Sequence, residues 1–68
     1  MRRWMAEARA QKKLTQQELA LEVNVSQRAI AAYELGDRNP SVKTAQRLGE
    51  VLGIPWTRFY EEPEEEEA

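Results

Sequence analysis

Two side chains suited to paired hydrogen bonding, Gln27 and Arg28, directly follow a serine that can open a helix, in the stretch Val25-Ser26-Gln27-Arg28-Ala29-Ile30. A guanidinium is a planar fork that fits the O6/N7 edge of guanine, and a carboxamide fits the N6/N7 edge of adenine. Covalent chemistry has no comparable support. The 68 residues include no cysteine and no histidine, which removes the most nucleophilic side chain and the commonest general base. Disulfides and the usual zinc and haem ligand sets are excluded for the same reason. There is no glycine-rich phosphate loop. No catalytic residue, metal, cofactor or small-molecule ligand is therefore expected, and the chain does not read as an enzyme.

The charge balance points to a polyanion. The formal net charge is -2, but the charges are segregated. Residues 1–60 hold all ten Lys and Arg beside six acidic residues, an excess of four positive charges, whereas 61–68 (EEPEEEEA) hold six glutamates and no base. Such segregation is a reason to consider nucleic acid as a partner. No apolar run approaches the ~18 residues a membrane span needs. The start MRRWMAEARA lacks the continuous apolar segment of a signal peptide. A cytoplasmic chain close to full length, with no membrane partner, is the expectation.

The positioning elements are legible as helices. A first is expected from about Arg2 to Lys12, with Met5 and Ala8 inward. Thr15 with Glu18 forms a capping box that opens a second, whose buried stripe is Leu19, Ala20 and Val23. Asn24 stops it, being one of the few non-glycine residues that tolerate the left-handed conformation. Ser26 caps a third, Gln27 to about Leu35, with Ile30 and Tyr33 inward, and Gly36 ends it. A polar loop, GDRNP, leads to Ser41, which caps a fourth with Val42, Ala45, Leu48, Val51 and Leu52 at helical spacing. Gly53 terminates that helix. Pro55 suits the first turn of a short fifth, whose Trp56, Phe59 and Tyr60 share a face. The acidic tail 61–68 has nothing to pack and is expected to be disordered.

Two short helices separated by three to four residues, with the small Ala20 where they must approach, define a helix-turn-helix over roughly Gln16 to Leu35. Leu19, Val23, Val25, Ile30 and Tyr33 form the apolar wedge that sets its crossing angle. In this geometry the second helix enters the major groove of DNA and the first crosses the backbone. Gln27 and Arg28 then lie where base edges are reached. Ala31 and Ala32 can offer only methyl contacts to thymine. The alternative for Gln27 and Arg28 is that of solvated helix-start residues.

The landmarks AEAR, LTQQELA, VSQRAI, YE.G.RNPS and LG.VLGIPW..F, over about residues 2–60, resemble the phage-repressor/Cro-type (XRE-like) helix-turn-helix family. The resemblance implies an all-α, compact five-helix lambda-repressor-like domain at 1–60 that binds operator DNA, usually as a homodimer on inverted half-sites. Lys13 and Asn24 stand where many members have glycine, Arg2 where many have an apolar residue, and Ala31 and Ala32 where many carry polar groups. By the resemblance, Gln16 at the amino end of the second helix bonds a phosphate, helped by the helix dipole, and Arg38 and Asn39 form a second phosphate clamp. The alternatives are a simple cap residue and a solvated loop. Lys43 is a further phosphate candidate, and Tyr33 is a core residue whose hydroxyl could also reach a phosphate. Arg9 and Glu34 are implied to bond each other inside the fold, tying the first helix to the reading helix; otherwise both are surface charges. Trp56 and Arg58, at the start of the last helix, are candidates for a dimer contact, with a core role the alternative for Trp56. Leu21 falls on a polar face and carries no assigned role.

The functional expectation is a prokaryotic or phage transcriptional regulator, a repressor, that occupies double-stranded operator DNA. The rivals are an antitoxin, a restriction-modification controller, or a protein-interaction adaptor that kept the fold and lost DNA binding. The six glutamates of 61–68 are expected to reduce nonspecific DNA binding by competing with phosphate for the basic body; the plainer alternative is a solubilising tail.

Overall fold

The computed structural model describes residues 1–61. Four α-helices follow one another: α1 (Arg3–Gln11), α2 (Gln16–Val23), α3 (Gln27–Leu35) and α4 (Val42–Leu52). The segment expected to be a fifth helix is a single 3₁₀ stretch, Trp56–Tyr60. Five residues after Pro55 are too few to develop an α-helical ladder, and a tighter i→i+3 turn suffices to fold Phe59 inward. Among the described residues there is no strand. The expectations of disorder and of DNA competition for the acidic tail fall on residues that lie, apart from Glu61, outside those described.

α2, α3 and α4 begin on a side-chain cap, and every α-helix ends on a local turn. The Thr15 hydroxyl accepts from the Glu18 amide at 3.0 Å, and the Glu18 carboxylate accepts from the Thr15 amide at 2.9 Å. Ser26 and Ser41 cap α3 and α4 by accepting from the amides of Ala29 and Thr44. All four helices stop in the same way. A residue with positive φ turns the chain, and the next amide reaches back five residues to a last-turn carbonyl, which it shares with the cap amide. The turning residues are Lys13, Asn24, Gly36 and Gly53; the closing bonds run from Leu14 to Arg9, Val25 to Ala20, Asp37 to Ala32 and Ile54 to Gly49, at 3.0–3.2 Å.

Lys13, at φ 60°, is the strained member of this set. The left-handed region costs an L-residue about 1–2 kcal/mol, against about 0.5–1 kcal/mol of extra chain entropy lost by glycine. Lys13→Gly is therefore expected to stabilise by about 0.5–1 kcal/mol, raising the melting temperature by about 2–8 °C in a domain this small. A calorimetric melt checks it; a lower melting temperature would mean that the lysine side chain itself holds the turn.

The core is one cluster. Met5 from α1, Leu19 and Val23 from α2, Ile30 from α3 and Leu48 from α4 are fully buried, with Ala20, Ala29, Tyr33, Ala45, Leu52 and Phe59 closing around them. α2 packs on α3 and α4, α1 on α3, and α4 on the 3₁₀ segment. Two residues assigned inward from periodicity lie elsewhere. Val42 is 53% exposed and Tyr60 is 41% exposed. Val42 is the first residue of α4, a full turn before the packed part of its stripe begins at Ala45. Tyr60 keeps its ring at the edge because its hydroxyl is drawn to the Pro40 carbonyl, to which it donates at 2.6 Å.

Candidate nucleic-acid interface

α2 and α3 are joined by Asn24-Val25-Ser26. A buried Ala20 on α2 and a buried Ala29 on α3 keep side-chain bulk out of their packing. The first turn of α3 presents Gln27 and Arg28, both exposed. One turn on, Ala31 and Ala32 are half-buried, and beyond them Tyr33 and Glu34 are buried. The outer face of α3 is thus a polar first turn followed by a smooth strip of methyl groups, shallow enough for the helix to lie close against another surface.

Glu34 organises the interior behind this face. It is 4% exposed, and a carboxylate so placed must be paired. Arg9 Nε donates to Oε2 at 2.7 Å and Arg9 Nη2 to Oε1 at 3.3 Å, while Gln16 Nε2 donates to Oε1 at 3.0 Å. Arg9 also donates through Nη1 to the Leu14 carbonyl at 2.9 Å. One carboxylate of α3 thereby joins α1 and the amino end of α2. Gln16 commits one of its two amide hydrogens to Glu34; the other stays at the start of α2, the pole of the helix dipole that favours anions.

The loop after α3 supplies the other exposed polar groups. Arg38 is exposed and its guanidinium lies over the Tyr33 ring at 5.8 Å, so the buried tyrosine serves as a platform for it. Asn39 turns its carbonyl oxygen inward to accept from Arg2, leaving its amide nitrogen as a donor. Lys43 is exposed in the first turn of α4.

Arg2 was not anticipated in any role at the site. Its main-chain amide donates to the Glu34 carbonyl at 2.7 Å. Its Nη1 donates to the carbonyls of Tyr33 at 2.6 Å and Arg38 at 3.0 Å; its Nη2 donates to Asn39 Oδ1 and to the Phe59 carbonyl at 3.3 Å. The group also lies over the Phe59 ring. Burial pushes its pKa down from the ordinary arginine value, with Tyr60 nearby acting in the opposite direction. The only sequence signal was an arginine at a position where an apolar residue is common.

At the far end, Trp56 is half-buried, with its ring edge-on to Tyr60, and the Arg58 guanidinium stacks on Trp4 at 4.7 Å. Both are engaged within the chain. Among the described residues no cluster of acidic, His or Cys side chains could hold a metal ion, and no helix is long and apolar enough to cross a membrane.

A family model described as helix-turn-helix matches residues 5–59, which include all four helices but the first two residues of α1. The chain belongs to the XRE-type helix-turn-helix family. Membership marks it as a DNA-binding module rather than an enzyme. It is similar to YqaF of Bacillus subtilis (strain 168), an uncharacterized HTH-type transcriptional regulator, with 37% identity over 62 residues that cover 91% of this chain and 82% of YqaF. It is also similar to YqaE of the same organism, another uncharacterized HTH-type transcriptional regulator, with 40% identity over 50 residues, 74% of this chain. The match spans only 43% of YqaE. No solved structure matches the chain.

Proposed function

We propose that this helix-turn-helix domain, residues 1–60, is a prokaryotic transcriptional regulator that represses by occupying operator DNA. The observation that carries the reading is the placement of α3. Its first turn holds Gln27 and Arg28 out in solvent, while Glu34, buried two turns further along, clamps the same helix to α1 and α2. A reading helix needs both: free donors at its amino end and a rigid seat. Gln27 and Arg28 make the base contacts, and Ala31 and Ala32 meet thymine methyl groups. Gln16, Arg38, Asn39 and Lys43 hold phosphates, and Tyr33 supports Arg38 from below. Similarity to two HTH-type transcriptional regulators supports the regulatory assignment.

One such module contacts a few base pairs, so two copies act together on an inverted repeat with half-sites about 34 Å apart. The copies meet around the 3₁₀ segment, with Arg58 at the contact and Trp56 beneath it. Selection of bound duplexes from a random pool, followed by footprinting, tests the whole reading; a single asymmetric half-site would refute the dimer.

Arg28→Ala should cost about 1–3 kcal/mol of binding per half-site and relax the preference at one base position. Arg38→Ala should instead weaken all duplexes alike and lower the steepness of the salt dependence by about one phosphate contact. Competition with single-base-pair variants of the selected site, across a salt series, separates the two. Retention of affinity and base preference by Arg28→Ala would remove it from the recognition set.

A further inference from the structure

We propose that Arg2 is a positioning residue for the DNA-backbone clamp: its guanidinium holds the loop Asp37–Pro40 in the shape that presents Arg38 and Asn39, and it does not contact DNA itself. The inference rests on the DNA-binding reading above and extends it to a residue outside the contact set.

A guanidinium has four N–H bonds on its two terminal nitrogens and one on Nε. All four terminal donors of Arg2 have a partner within the chain. Nη1 serves the Tyr33 and Arg38 carbonyls, and Nη2 serves Asn39 Oδ1 and the Phe59 carbonyl. The planar fork that would bind a phosphate is therefore fully occupied, whereas among the described residues those of Arg28 and Arg38 have no hydrogen-bond partner. Its acceptors belong to three separate pieces of chain: the last turn of α3, the loop after it and the 3₁₀ segment. The main-chain amide of Arg2 adds a fixed point on the Glu34 carbonyl. A positive group at this spot also faces the carboxyl pole of α3, where cations are favoured.

The loop has few other restraints. Asp37 closes the end of α3 through its amide, and Pro40 is held by the Tyr60 hydroxyl at the far end. Between these points, the Arg38 carbonyl and the Asn39 side chain are tied down by Arg2. Tying them inward sets the outward direction of the Arg38 side chain and of the Asn39 amide nitrogen. Lysine cannot replace this bracket, because an ammonium offers three donors from one point and no planar fork.

The test uses the full chain with Arg2→Ala and Arg2→Lys, at a temperature well below the melting point of each variant. Amide hydrogen exchange first reads the loop without DNA. The amides of Gly36 and Asp37, bonded to the Tyr33 and Ala32 carbonyls, should exchange faster in both variants, while amides of α2 and α4 keep their protection. Affinity is then measured for the selected duplex and for random duplex over a salt series. Both variants should lose about five- to tenfold on both duplexes, with the salt slope reduced by about one, the share of the Arg38 contact. Base preference should be unchanged. In an Arg38→Ala background the Arg2 substitutions should do little more, since they act through the same group.

Unchanged loop exchange in the variants overturns the proposal whatever the DNA result. So does full affinity in Arg2→Lys, which would mean that a charge at this position touches phosphate directly. Relaxed base preference would place the action of Arg2 on α3 rather than on the loop, and also overturns it. Wild-type protein that retards no duplex would fail the DNA-binding reading alone, because the exchange measurement stands without it.

Discussion

Arg9→Ala is expected to destabilise the domain by about 3–5 kcal/mol, the range for removing one partner of a buried ion pair. For a chain of 68 residues this approaches the whole folding free energy, which is roughly 0.05–0.15 kcal/mol per residue. The partners are not equally buried. The Glu34 side chain is 5% exposed and that of Arg9 is 19% exposed. Losing Arg9 strands the deeper charge, with only the Gln16 amide to answer it. Losing Glu34 leaves an arginine that can swing toward water and keep its bond to the Leu14 carbonyl. Glu34→Ala should therefore cost less, about 2–3 kcal/mol, in the range of lost charge-assisted hydrogen bonds. Replacing both with apolar residues, Arg9→Met with Glu34→Leu, should cost less than Arg9→Ala alone, because no buried charge remains. Urea unfolding of the two single variants and the double variant measures all three quantities. Additive losses would mean that the pair is not coupled. Any Glu34 variant that folds should also bind DNA less well, since the Gln16 amide has then lost the group that orients it.

Gly49→Val should destabilise by about 3 kcal/mol or more, and Gly49→Ala by about 1–2 kcal/mol. A Cβ at this position would lie 2.8 Å from the Ile54 carbonyl oxygen, 3.1 Å from Trp56 Cβ and 3.2 Å from the Trp56 amide nitrogen. Two of the three are backbone atoms, so no side-chain rotation relieves the clash. The chain must move instead, and the Gly49 carbonyl accepts the bonds from Gly53 and Ile54 that end α4. Overpacking of this kind costs about 1–3 kcal/mol, occasionally more. Alanine recovers close to 1 kcal/mol through its better helix propensity, whereas valine adds two carbons and β-branching. Thermal melts should rank wild type above Gly49→Ala above Gly49→Val. A stabilised alanine variant would show that the 3₁₀ segment can lift from α4 at little cost.

Much of the fold was legible because its signals act over three to five residues. Thr15 with Glu18, Ser26 and Ser41 each cap an amide within their own first turn. Asn24, Gly36 and Gly53 turn the chain at the helix ends they mark. Lys13 does the same work at φ 60°, yet a lysine advertises no such turn in its chemistry. Periodicity assigned the buried stripes of α2 and α3 from Leu19, Ala20, Val23, Ile30 and Tyr33. It failed at Val42 and Tyr60, which sit at the ends of their elements, where a face has no neighbour to cover it.

The candidate site divides along the same line. The exposed first turn of α3, with Gln27 and Arg28, follows from a serine cap and a helical period, and both are written in adjacent residues. The seat of that helix is not. Arg9 and Glu34 are 25 residues apart, Gln16 and Glu34 are 18 apart, and Arg2 reaches partners 31 to 57 positions away. No local rule links such residues. A guanidinium is equally at home in water, so its capture depends on four acceptors converging after α3, the loop and the 3₁₀ segment have packed. The sequence by itself determined the four α-helices, the caps of three of them and the polar first turn of α3, because short-range hydrogen bonding and apolar spacing decide those. The Arg9–Glu34 pair was implied by the family resemblance, but only the tertiary structure decided that Gln16 joins it, that Gly49 admits the 3₁₀ segment and that Arg2 brackets the loop, because each depends on burial and on distances that exist once the core has closed.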